Sequence, residues 1–420
     1  MRWPLTLALV LLAAPLGAAE WDVPLRDGAI ADTYARAAEG DVLRLSPGTY
    51  RETLVLDRPI TLDGQGQATI DGGGQGSVII VTAPDVTVRG LTIVGSGSSH
   101  ETIDSGVQLK QGATRAVVRE NVLLGNLYGI DIHGAEDALV ARNRIQGRRD
   151  HRVNDRGNGI YVWNAPGARV DGNDLRYGRD GIFVNTSKRN RFTNNRFRDL
   201  RFAVHYMYAN NSEVSGNVSI GNDLGYAVMF SNRVKLTGNL SVDDREHGIM
   251  LNYTNHSQII GNTVRNGANR CAFLYNANKN VFSGNRFEGC EIGIHFTAGS
   301  QDNSITGNAF VGNRTQVKYV STKWTEWSED GRGNYWSDFA AYDIDGDGIA
   351  DVSYRPNDAM DHVLWTQPAA KMLLGSPAVQ LVRWSQAAFP ALLPGGVMDS
   401  HPLMAPPQAL SVEHGSRADG

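Results

Sequence analysis

Residues 181–239 read GIFVNTSKRNRFTNNRFRDLRFAVHYMYANNSEVSGNVSIGNDLGYAVMFSNRVKLTGN, one phrase repeated with small changes. Asn195, Asn217 and Asn239 close successive copies, 22 residues apart. Three positions before each stands an apolar side chain, Phe192, Val214 or Leu236. Fourteen positions before each, a second apolar run opens at Gly181, Ala203 or Gly225. Within that run the first and third positions are apolar: Ile182/Val184, Val204/Tyr206 and Tyr226/Val228. Alternation in twos is the signature of a strand, whereas a helix needs apolar positions three and four apart.

The phrase extends both ways. Asn121, Asn143 and Asn173 precede it and Asn262, Asn285 and Asn308 follow, at intervals of 22 or 23 residues with one of 30. The long interval holds Arg148 to Asp155, which reads as an inserted loop. A unit this short buries its apolar face only by stacking on its neighbours. Stacked coils lie about 4.8 Å apart, so the asparagines form a ladder at the turns. The expected fold is all-β, a right-handed parallel β-helix, its hand following the crossover rule.

With 420 residues, 41% of them hydrophobic, and 47 glycines, the chain can bury a long, narrow core. Its net charge of −4, with dispersed basic residues, argues against duplex nucleic acid as a partner. Residues 1–19 read as a signal peptide: Arg2, the apolar run Leu5 to Leu16, then Gly17-Ala18-Ala19. That run is too short for a bilayer span, so an exported protein is expected. Cys271 and Cys290 lie on neighbouring coils. A disulfide, two buried thiols and thiolate copper ligation all stay open.

Residues 20–52 are expected to cap the first coil, with a short helix from Asp32 to Glu39; residues 53–320 form the solenoid. Residues 321–420 leave the coil pattern and are a candidate docking segment. Within them Asp343, Asp345, Asp347, Gly348 and Asp351 read D-x-D-x-D-G-x-x-D, a spacing that wraps oxygen ligands around Ca²⁺. Tyr354 stands where a complete EF-hand has its Glu.

Met207, Met229 and Met250 fall on successive coils in a solenoid otherwise free of methionine. Register makes Met207 and Met229 direct neighbours on the outward face. His205 lies two positions before Met207, and Met250 shares its column two coils on. Thioether and imidazole suit Cu(I); apolar packing under a partner is the competing use of flexible methionine. The same outward strip carries Asp131 and His133, with Arg142 nearby in sequence. These are the acid/base candidates if the strip is instead a carbohydrate-binding or uronate-epimerase or lyase groove.

The run Leu56 to Gly97, the N-G-N repeats, GRGNYWSDFAAYDIDGDGIADVSYRP (Gly331 to Pro356) and the closing GVMDSHPLM resemble the NosD family. The resemblance covers nearly the whole chain after the signal segment. It implies a periplasmic, non-catalytic accessory protein that works with an ABC transporter permease and its ATPase. It also implies copper passing from a lipoprotein chaperone to apo nitrous oxide reductase for its copper–sulfide centre. No ligand residue is carried over from the family.

Overall fold

In the computed structural model the chain winds into a parallel β-helix, described over residues 18–149, 152–297, 299–319, 323–373, 375–388 and 395–408. The expected signal peptide falls almost wholly on residues 1–17, outside the described residues. Among the described residues, one sheet of 24 strands takes two short strands from each regular coil, and one of 12 strands takes a single longer strand. One coil shows the plan. Phe202–Met207 gives the long strand, Glu213–Ser215 the first short one and Val218–Ile220 the second. Leu224–Met229 then stacks directly on Phe202–Met207 in parallel register.

The repeated Asn makes the corner between the short strands. Asn217 Nδ2 donates to the Asn239 side-chain oxygen (3.0 Å) and to the Phe192 carbonyl (2.9 Å), and the Asn217 backbone N–H reaches the same Asn239 oxygen (3.0 Å). The residue before each ladder Asn sits in the left-handed region, as at Gly216 (φ 64°) and Gly238 (φ 60°). That conformation costs glycine little, which explains the recurring G-N pair. Inward-facing side chains such as Ile182, Val204, Val228 and Ile249 are buried, with Phe192, Phe197, Phe282 and Phe287 filling the interior.

At the first end, helix α1 spans Ala29–Arg36 and buries Ala29, Ile30 and Thr33. It starts three residues before the expected Asp32 because left-handed Gly28 opens it, and stops where Ala37 turns extended. At the far end the ladder runs past residue 320. Asn308 bonds Asn334 (3.0 Å), and Tyr335–Trp336 pairs with Ala309–Val311. Asn334 N–H then donates to Asp399 (2.7 Å), whose carboxylate also accepts from Trp336 Nε1 (2.7 Å). Asp399 is fully buried and adjoins a strand, Gly396–Met398, paired with Trp324–Glu326. The returning tail thus closes the last coil. Between these strands lie α2 (Ala359–Thr366), opened by a reciprocal Asp358/Asp361 capping box, and α3 (Pro377–Ala388). Met372, Leu373, Leu381 and Trp384 are exposed there.

Cys271 and Cys290 form a disulfide, with Cα atoms 5.7 Å apart. The two thiols are therefore joined to each other, which removes both the free-thiol and the thiolate–copper readings.

Candidate metal centre

The outward positions of the long strands stack into a strip. Register confirms the expected neighbours: Met207 faces Met229, His205 faces Ala227, and Ala227 faces Met250. All three methionines are half-buried. His205 is more deeply covered than an outward position suggests, at 7% exposure, because Phe183 (ring centroid 4.8 Å) and Phe202 (4.8 Å, edge-on) enclose its ring. The small Ala227 side chain separates His205 from Met250.

Behind His205 lies a residue that sequence reading passed over. Asp180 Oδ2 is 3.1 Å from His205 Nδ1, and both Asp180 oxygens accept from the Arg201 guanidinium at 2.8 and 2.7 Å. Burial pushes the Asp180 carboxyl up, but the bonds from His205 and Arg201 and their charges outweigh it and hold it below the usual carboxylate range. An ionised carboxylate only accepts, so Nδ1 carries the hydrogen, which in the neutral imidazole leaves the lone pair on Nε2. Nε2 is buried and has no hydrogen-bond partner. A carboxylate behind one imidazole nitrogen and a bare lone pair on the other is the arrangement of a metal-ligating histidine. With the thioethers of Met207 and Met229 in the adjacent column and Met250 in its own, the donor set is soft to borderline and fits Cu(I).

Farther along, His295 of the His205 column and His247 of the Asp180 column are spent differently. Arg270 Nε donates to His295 Nδ1 (2.9 Å), and Arg270 Nη1 lies 3.2 Å from His247 Nε2, while His247 Nδ1 contacts the Glu246 carbonyl (2.6 Å). Burial first, then the Arg270 charge, pushes His247 down to about 4 and His295 to about 3. The facing nitrogen of each is occupied by a cation, which repels a second one.

The acid/base trio separates. Asp131 is wholly buried, with Gln108 Nε2 at 3.0 Å. Burial pushes its carboxyl up to about 7, against the Gln108 bond and the Lys110 charge. His133 Nδ1 is 4.0 Å from it. Arg142 belongs to a different face, paired with Glu120 at 2.7 Å in the Asn-corner region. In the acidic loop Asp343, Asp345 and Asp347 bring oxygens within 4.8 Å of one another. Asp351 does not join them. Its carboxylate accepts from Ile344 N–H (2.7 Å) and braces the loop instead.

A family model described as "Periplasmic copper-binding protein (NosD)" matches residues 141–341, which include His205 and the three solenoid methionines. A protein of Stutzerimonas stutzeri named "Probable ABC transporter binding protein NosD" is 42% identical over 378 residues, covering 87% of this chain and 87% of that one. Its namesake in Pseudomonas aeruginosa is 42% identical over 87% of this chain and 88% of its own. Among solved structures, the A-module of an Azotobacter vinelandii mannuronan C-5 epimerase aligns with a TM-score of 0.55 at 16% identity, over 70% of this chain and 90% of that one. A Yersinia enterocolitica family 28 exopolygalacturonase aligns at 0.53 and 13% identity, over 69% of this chain and 78% of its own. At such identities these two share the fold alone. The extent and level of the sequence match to the two bacterial relatives make this chain a member of the NosD family.

Proposed function

We propose that this is an exported, periplasmic, non-enzymatic accessory protein that receives Cu(I) from a lipoprotein chaperone. It holds the ion on His205, Met207, Met229 and Met250, and hands it to apo nitrous oxide reductase. The observation that carries the reading is the buried, unpartnered Nε2 of His205, oriented by Asp180 beside the methionine columns. The family's copper-binding description supports the metal, and the relatives' names support an ABC transporter as partner. Ca²⁺ bound by Asp343, Asp345 and Asp347 would brace the C-terminal segment.

In this reading the exposed Leu381 and Trp384 of α3, with Met372 and Leu373, meet the permease, whose ATPase drives the handover. Removing residues 366–420 is a poor test, because it deletes Asp399 and uncaps the solenoid. Leu381→Ser/Trp384→Ser leaves that cap intact. Co-purified with the permease and ATPase, the double variant is expected to lose the transporter subunits that wild type retains. Equal recovery would refute α3 as the docking element.

The carbohydrate groove is less well supported. Sugar stacking uses the free face of an aromatic ring, and the strip offers few. Tyr161 and Phe183 cover one another at 5.4 Å and 7°. The exposed ladder Tyr208, Phe230 and Tyr253 is closed in the same way, at 5.2 and 5.3 Å.

A further inference from the structure

We propose that Asp131 and His133 form a second transition-metal station, with a nitrogen–oxygen donor set, on the same strip. The inference extends the copper-handling reading, but its residues and its test are separate from those of His205. Both side chains leave the same face of the strand Tyr128–His133, two positions apart. Asp131 Oδ1 and His133 Nδ1 are each buried without a hydrogen-bond partner. Two unpaired buried polar atoms on neighbouring side chains are costly, and native interiors rarely leave them so.

A proton does not resolve the pair. Asp131 Oδ2 and His133 Nδ1 stand 4.0 Å apart, beyond hydrogen-bond reach. Metal–nitrogen and metal–oxygen bonds of about 2.0–2.2 Å each reach across 4.0 Å when the two ligands lie on nearly opposite sides of the ion. The surroundings hold both ligands in place. Gln108 Nε2 donates to Asp131 Oδ2 (3.0 Å), fixing the carboxylate, and Trp163 stacks on His133 (4.3 Å, 25°), fixing the ring.

Chemistry sets the class of ion. Carboxylate and imidazole without sulfur suit a borderline divalent ion such as Cu(II), not the thioether site's Cu(I). Lys110, whose charge reaches both Asp131 and His133, opposes a cation there. Two ligands and a nearby ammonium make a weak, open station that takes its remaining ligands from water or a partner. Asp131 is three coil steps from His205, about 14 Å at one strand spacing per step, with Tyr161 and Phe183 stacked between them.

The test is titration of the full-length protein with Cu(II) alone, read by equilibrium dialysis and electron paramagnetic resonance. Wild type is expected to bind an ion with a nitrogen-coupled signal. His133→Gln should weaken that binding about tenfold or more and remove the coupling. Asp131→Asn, nearly isosteric, should weaken it while keeping the coupling, and it provides a second reading if the histidine variant folds poorly. Met207→Ala/Met229→Ala should leave Cu(II) binding unchanged, so failure of the Cu(I) site and failure of this one are told apart. Unaltered Cu(II) affinity and spectrum in both Asp131→Asn and His133→Gln would overturn the proposal and leave a bridging water as the occupant.

Discussion

His205 and His295 occupy one column of one solenoid, with His247 in the Asp180 column beside it, yet their environments have opposite sign. His205 is backed by the Asp180 carboxylate and presents a bare Nε2, whereas His247 and His295 both face the Arg270 guanidinium. A cation is attracted to the first arrangement and repelled by the second. The repeat therefore gives His205 and His295 equivalent positions, and the charge one column away decides what each imidazole can do. Of these three histidines, His205 is the one with a buried, unpartnered nitrogen.

Breaking the Asp180 side of the contrast should have the largest effect. Asp180→Ala strands Arg201 and removes the Nδ1 partner of His205, with the carboxylate only 1% exposed in the native pair. Loss of one partner of a buried ion pair costs about 3–5 kcal/mol, to be read from denaturant unfolding. Asp180→Asn keeps the shape and should instead weaken Cu(I) binding about 10–100-fold, the usual cost of losing a partner behind a ligating histidine. Near-native values in both variants would make Asp180 incidental.

Little of this contrast is legible in the primary structure, and the reasons are physical. The fold is written in the 22-residue return of Asn and in strict alternation, because identical coils must stack. The methionine columns follow from the same register. Asp180 escapes notice because its column continues as Phe202, Leu224, His247 and Arg270, with no repeating chemistry, and because it meets His205 diagonally. The burial of Asp131 and His205 is hidden for another reason: alternation tells inward from outward, not whether neighbouring rings and loops cover an outward side chain. The closure of the last coil by Asp399 joins residues 65 apart in the chain, beyond any periodic signal.

The Arg270 side should respond more gently and without touching copper. His247 and His295 titrate near 4 and 3 in the fold against 6.5 in the unfolded chain. As pH falls from about 6.5 towards 3, the unfolded state takes up protons that the fold refuses, so stability declines over that window. Arg270→Met removes one of the charges that depress both histidines. Their folded pKa values should rise towards 6.5, followed by nuclear magnetic resonance, and the acid loss of stability should shrink. Cu(I) affinity should stay at the wild-type value, and a drop would mean that the two halves of the strip are not independent.

The central claim is that His205 and the methionine columns hold Cu(I) together. Anaerobic Cu(I) titration against a competing chelator tests it most directly, comparing wild type with His205→Gln and Met207→Ala/Met229→Ala. The expected result is a single tight ion in wild type, weakened about tenfold or more in each variant, since loss of a soft donor leaves an incomplete shell. Equal affinity in all three proteins would contradict the account and place copper elsewhere in the assembly.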